Sequence, residues 1–219
     1  MNTLTEDVEI KYGEGTTVER LQSLLGDDVV LVWTARGEKK PTRKGWPKTK
    51  IERMSDPRYL KNLNSGHNLA VLTGKPSGGL CSIDIDDDSA VEPFLELNPK
   101  LRKTLRSRGR RGCNLWVRMK GPYPSFLNLS TVDGKEWGEW RSTKVCTMIY
   151  GIHPEGMAYR RDPEVPPITM SFADIVWPEN LEQPWLTEPE PEETSDEEID
   201  QEFGGPFVWA KSRNDEYFM

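Results

Sequence analysis

The chain has 219 residues, with 36 Asp and Glu against 29 Lys and Arg, a formal net charge of −7, three Cys and eight Trp. That length suffices for one domain or one and a half with a buried core. Three Cys at spacings of 32 and 33 residues offer neither a disulfide framework nor a zinc knuckle. No apolar run is long enough to cross a membrane, and the opening MNTLTEDVEI lacks the basic and apolar regions of a signal peptide. A cytoplasmic, reducing setting with no membrane partner is therefore expected.

The acidic balance is unevenly spread. The segment LTEPEPEETSDEEIDQE, residues 186 to 202, holds nine acids and no Lys or Arg. Of the 36 acids, 11 lie beyond residue 185, against two of the 29 basic residues, so residues 1–185 carry about two net positive charges. The basic residues also cluster: ten between Arg36 and Lys61 against three acids, and nine between Lys100 and Lys120 against none. Two such stretches flanking a carboxylate cluster point to a polyanionic partner.

In chain order, VERLQSLL (18–25) is predicted as an amphipathic helix and Val29–Trp33 as a β-branched strand. GEKKPTRKGWPK follows as an exposed loop. HNLAVLTG (67–74) and GLCSIDID (79–86) are predicted strands, and AVEPFLELNPKLRKTL is helical around Pro93 and Pro99. CNLWVRM (113–119), KEWGEWRS (135–142) and VCTMIYGI (145–152) are later strands. Few helix crossovers separate these strands, so an α+β domain with a largely antiparallel or mixed sheet is expected. The predicted division is a catalytic-size domain over 1–185 and an acidic linker and tail over 186–219, whose Pro and Glu-rich composition cannot form a core. The tail's end regains aromatics at Phe207, Trp209, Tyr217 and Phe218, the pattern of a docking peptide.

LCSIDIDDD is the most informative segment. Strand alternation turns Cys81, Ile83 and Ile85 to the core and Ser82, Asp84 and Asp86 to the other face, with the two carboxylates roughly 7 Å apart. Like charges so placed repel, and a divalent cation relieves them. An acidic turn with Asp87 and Asp88 solvated is the structural alternative. An EF-hand fails because its sixth position is Ser89 and its twelfth Leu95, and TGKPSGG fails as a phosphate loop because Pro76 follows Lys75. In WGEWRS, alternation puts Trp137, Glu139 and Arg141 on one face. If that strand borders the Asp strand, Glu139 completes a set of hard oxygen ligands suited to Mg2+ or Mn2+, which can clamp both oxygens of a phosphoryl transfer. A surface Glu139 paired with Arg141 is the alternative. His67 is expected as a strand-start surface residue, the three Cys as small core residues, and Trp116, Trp137 and Trp140 as core, with base stacking open for any that is exposed.

The order of motifs resembles the primase–polymerase branch of the archaeo-eukaryotic primase superfamily over residues 20–178. The resemblance is carried by KGW at Lys44–Trp46, NLAVLTG, the DID strand, SRGRRGCNLWV, EWR, and HPEG at His153–Gly156. It implies an RRM-like catalytic sheet with a packed N-terminal α/β module, and DNA-dependent primer synthesis and extension in replication of a mobile element, virus or plasmid. By the resemblance, Asp84, Asp86 and Glu139 match the metal ligands of a two-metal nucleotidyltransferase. The basic turn with Ser107, Arg108, Arg110 and Arg111 would face the triphosphate of an NTP or dNTP, Asn114, Arg141 and His153 would fall near the same site, and Lys44, Trp46 and Lys48 would hold single-stranded DNA template and primer. The chain departs from the pattern at Asn114, where the family has His. A neutral amide cannot supply a cation to phosphate, so a catalytically degenerate nucleic-acid or nucleotide-binding replication accessory protein is the alternative. Relatives commonly carry a helicase domain; here a separate helicase or replisome protein, recruited by the tail, is expected instead.

Overall fold

The computed structural model describes residues 15–186. The segment 187–219, with its predicted acidic tail and docking peptide, lies outside the described residues, and so does the opening of the chain. Helix α1 (Thr17–Leu25) starts at a capping box: the Thr16 hydroxyl accepts from the Glu19 amide, and the Glu19 carboxylate accepts from the Thr16 amide at 2.7 Å. Its buried stripe is Val18, Leu21 and Leu25. Strand β1 (Leu31–Thr34) and a long basic loop lead to α2 (Pro57–Leu63), which sequence periodicity does not reveal. Its signal is local: Asp56 caps the Arg58 and Tyr59 amides, and Pro57 sits at the first helical position.

Strands β2 (Asn68–Leu72) and β3 (Leu80–Ile85) follow, then α3 (Asp88–Leu97), which Asp87 caps and which tolerates Pro93 in its interior. After a 3₁₀ turn at Pro99–Lys103 come β4 (Arg106–Arg108), β5 (Cys113–Met119), β6 (Leu127–Ser130), β7 (Glu136–Arg141), β8 (Cys146–Tyr150), β9 (Arg160–Arg161) and β10 (Ile168–Met170). Among the predicted strands, β5 matches its range residue for residue, and β1 is displaced by one to two residues because Val29 and Val30 pack before the ladder begins. The strands β4, β6, β9 and β10 have two to four residues, too few for alternation to register.

These strands form two sheets, as expected of an α+β chain. The smaller is β1-β2-β8, antiparallel throughout. The larger runs β6-β7-β3-β5-β4-β9, also antiparallel, with β10 added parallel to the second half of β5. One apolar core lies among α1, α2 and the smaller sheet and reaches Leu80 and Trp116 of the larger one and Leu105 just before β4. A second core fills the opposite face of the larger sheet with Cys81, Ile83, Ile85, α3 and aromatics from the chain's later part, including Phe94, Trp140, Phe172 and Trp177. Arg118 of β5 ties the two regions: it pairs with the Asp28 carboxylate at 2.8 and 2.9 Å and donates to the carbonyls of Leu25, Ser77 and Gly78. Among the described residues no helix is long and apolar enough to cross a membrane.

Candidate active site

Strand β3 does what its alternation requires. Cys81, Ile83 and Ile85 are fully buried in the second core, while Ser82 and Asp84 face the other way. The sheet then decides Asp84's neighbours, because β5 and β7 flank β3. In register, Asp84 stands between Asn114 of β5 and Glu139 of β7, and Ser82 stands opposite Arg141. Cross-strand partners of this kind place side chains in contact. The Asn114 amide donates to Asp84 at 2.9 Å, and its oxygen accepts from the Ser82 hydroxyl at 3.1 Å. The Arg141 guanidinium pairs with Glu139 at 2.5 Å and with Asp84 at 3.1 Å, and also donates to the Cys146 carbonyl. Glu139 is 4 % exposed, and the Asp84 and Arg141 side chains about one-fifth.

Burial and charge act against each other here. Burial pushes the Asp84 carboxyl up, opposed by the Arg141 and Lys39 cations and by the Asn114 amide. Burial likewise raises Glu139, again against Arg141. Asp86, at the end of β3, is pushed up to about 7 by burial and then by the like charges of Asp84, Glu136 and Glu139. These carboxylates hold Arg141 firmly protonated although it is buried. Among the described residues no three His, Cys, Asp or Glu side chains are grouped as a metal cluster, and the guanidinium stands among these carboxylates instead.

One expectation about this face is corrected. Trp137 does not share it with Glu139 and Arg141. The β6–β7 ladder passes from Leu129 opposite Gly138 directly to Ser130 opposite Glu136, so Trp137 is the extra residue of a β-bulge. The bulge turns Trp137 into the second core, edge-on to Phe94 and Trp177, and lets Glu136 act on Asp86 and Glu139 as a further carboxylate. Gly138 is needed because a Cβ there would lie 1.9 Å from the Asp84 carbonyl. No periodicity argument on WGEWRS alone shows the bulge. Trp116 and Trp140 are fully buried too, so none of the three tryptophans is free to stack on a base.

The basic turn is bound to the same region through glycines. Gly112, at φ +58°, packs under Ile85, whose carbonyl a Cβ would meet at 1.8 Å, and Gly109 lies against the rings of His153 and Tyr159. The turn's residues diverge. Arg110 pairs with Glu155 of the HPEG element at 2.8 Å, and Arg111 is exposed beside Asp87. Ser107 is buried, its hydroxyl accepting from the Trp116 indole, and Arg108 points to the opposite side of β4, pairing with Asp88. There Arg106, Arg108, Asp88, Glu92 and Asp162 line a cleft of about 360 Å³ on the α3 side. His153 is buried, with Nδ1 accepting from the Glu155 amide.

In the loop of KGW, Lys44 and Lys48 are exposed, whereas Trp46 is buried in the first core, so its indole is a packing residue and not a contact for nucleic acid. The loop cation that acts on Asp84 is Lys39, which nothing in the local pattern distinguishes from its neighbours. Asn68 explains the proximity. Fully buried on β2, it donates to the Glu38 and Ile152 carbonyls and accepts from the Ile152 amide, clamping the loop to the segment before His153. The three cysteines are free and buried, and burial raises all three thiols, Cys113 and Cys146 to about 12.

No curated protein matches the chain. A family model described as bifunctional DNA primase/polymerase, N-terminal, matches residues 21–171, a span that runs from α1 past β10 and contains every side chain of the site.

Proposed function

The chain belongs to the bifunctional DNA primase/polymerase family, and from that premise we propose that it is an active, template-directed nucleotidyltransferase centred on Asp84, Asp86 and Glu139. Family membership implies primase and polymerase activity in general, on DNA and nucleotides. The observation that carries the finer reading is the in-register pairing of Asp84 with Glu139 on adjacent strands, with Asp86 beyond them. The RRM-like description of the larger sheet, with the smaller sheet and its helices as the packed N-terminal module, rests on the family.

The donor set fits Mg2+ or Mn2+. Its oxygens are hard carboxylates, and Asp86 rises to about 7 through burial first and then through the like charges of Asp84, Glu136 and Glu139, against which Arg141 acts. When bound, the cations supply charge neutralisation at the attacking and leaving oxygens of phosphoryl transfer. Asp84, Asp86 and Glu139 would hold the cation, and Arg141, which pairs with Asp84 and Glu139, would offer its guanidinium to a phosphate oxygen where those pairs loosen. The primer's 3′ hydroxyl, or that of the first nucleotide in priming, attacks the α-phosphate. In this reading the departing pyrophosphate is met by Arg110, once it gives up Glu155, with Arg111 and His153, and Ser107 and Asn114 act as supports. Arg108 joins them only by giving up Asp88. Lys44 and Lys48 hold template backbone in this reading. A replicon of a mobile element, virus or plasmid, and a separate helicase or replisome partner for residues 186–219, rest on the resemblance and on the tail's composition.

A second reading has its own observation. Asn114 replaces the family's His and is already engaged by Asp84 and Ser82, which suits an accessory protein that binds without polymerising. Primer synthesis on single-stranded DNA with Mg2+ or Mn2+ separates the two. The enzyme forms product with wild type and loses at least a thousandfold of it in the double variant Asp84→Ala, Asp86→Ala, with DNA binding retained. Absence of product under every metal and nucleotide mixture leaves the accessory reading standing.

A further inference from the structure

Arg43 of the basic loop has no part in the catalytic reading. It is half-buried, and its guanidinium carbon stands 5.5 Å from the ring centroids of both Trp33 and Tyr59. Tyr59 is fully buried, its hydroxyl donating to the Leu31 carbonyl at 2.8 Å, and Trp33 of β1 is half-buried and edge-on to it at 4.8 Å. One Arg43 nitrogen donates to the Thr49 hydroxyl at 2.6 Å, and that hydroxyl donates in turn to the Trp46 carbonyl at 2.7 Å. The buried tryptophan of KGW therefore acts through Thr49 to hold Arg43 in place.

What Arg43 lacks is a counter-charge. Arg118, Arg141 and Arg161 are also half-buried, and each pairs with a carboxylate. The neighbouring Arg53, 5.1 Å from the Tyr59 ring, is paired with Asp56 at 2.7 Å. Arg43 instead meets hydroxyls and aromatic faces, and among the described residues no carboxylate pairs with it. Aromatic contact offsets part of the lost hydration of a guanidinium and fixes its plane, which leaves its remaining N–H donors for an anion. Lys44, Lys48 and Lys50 beside it are exposed, in a stretch with ten basic residues against three acids. Such a potential suits a chain of phosphates. The same loop is tied to the candidate site, because Asn68 holds both the Glu38 carbonyl and Ile152, next to His153. The segment from Glu38 to Arg43 spans at most about 18 Å. We propose that Arg43, braced on Trp33 and Tyr59, binds a backbone phosphate of the single-stranded template beside the catalytic site. This rests on the template-directed reading above. A guanidinium already held in position loses little further freedom when a phosphate binds, which sets it apart from the exposed lysines of the loop.

The test uses the full chain with Arg43→Gln and Arg43→Lys. Affinity for a deoxythymidine oligonucleotide and for a deoxynucleoside triphosphate is measured with Mg2+ between about 50 and about 200 mM salt, together with the melting temperature without ligand. Arg43→Gln is expected to bind the oligonucleotide roughly tenfold more weakly at the lower salt. Its slope of log affinity against log salt should be shallower by about 0.7, and its triphosphate affinity should equal that of wild type. Arg43→Lys keeps the charge and loses the planar stack, so it should keep the slope and fall between the two in affinity. Unchanged oligonucleotide affinity and slope in Arg43→Gln, with a lower melting temperature, would make Arg43 a packing residue and overturn the assignment. A loss confined to the triphosphate would place the phosphate on the incoming nucleotide and also overturn it. Should Arg43→Gln fail to fold, Arg43→Lys decides, and an oligonucleotide affinity equal to wild type overturns the assignment. Wild type that binds no single strand would sink the template-directed reading itself, whereas wild-type binding that Arg43→Gln retains in full would sink the Arg43 assignment alone.

Discussion

The two faces of the larger sheet bury side chains by opposite means. On the α3 side, Phe94, Trp137, Trp140, Phe172, Trp177 and Trp185 pack edge-to-face or tilted, with centroids 4.9 to 6.4 Å apart where they touch. On the other side, the same strands bury Asp84, Glu139 and Arg141. The aromatic face gains from every group it removes from water. The charged face is held against a desolvation cost that its internal ion pairs only partly offset, which is why Asp86 rises to about 7. One face stabilises the sheet, and the other uses that stability to hold a strained charge distribution in place.

This contrast can be broken from either side. The largest stability effect is expected on the aromatic face: Trp140→Ala removes a fully buried indole that also donates to the Pro124 carbonyl at 3.0 Å, and should cost about 3–5 kcal/mol in denaturant unfolding. Next, on the charged face, the sign reverses. Asp86 binds its proton more tightly folded than unfolded, so its cost to stability is full above pH 7 and fades as the pH falls towards its unfolded value near 4. In the presence of chelator, Asp86→Asn should therefore melt roughly 3 °C or more above wild type at pH 8, and the gap should narrow as the pH falls below 7 and close only near pH 4; a gap independent of pH would refute the charge explanation. The smallest effect belongs to Glu136, which is exposed and acts on Asp86 only through its charge. Glu136→Gln should lower the Asp86 titration midpoint by a few tenths of a pH unit, read by carboxyl NMR, with stability changed by less than about 0.5 kcal/mol.

Much of this was legible in advance, residue by residue. Alternation in LCSIDID put Asp84 and Asp86 opposite the core, the apolar set Cys81, Ile83 and Ile85 was placed correctly, and CNLWVRM marked β5. Trp137 was misplaced because a bulge adds a residue without changing composition. Trp46 looked like an exposed aromatic in a basic loop but fills the first core. Arg108 and Ser107 share one motif and yet face opposite sides of β4, Ser107 beneath the Trp116 indole and Arg108 towards Asp88.

By itself the sequence determined the charge segregation, the class of fold, the candidate carboxylates and the family, because these depend on local alternation, composition and motif order. Only the tertiary structure decided which strands are neighbours. That decision set Asp84 between Asn114 and Glu139, inserted Arg141 among the acids, brought Lys39 and Glu136 to the site, and braced Arg43 against Trp33 and Tyr59. Each of these depends on contacts between residues far apart in the chain, which strand pairing creates and which no local pattern encodes.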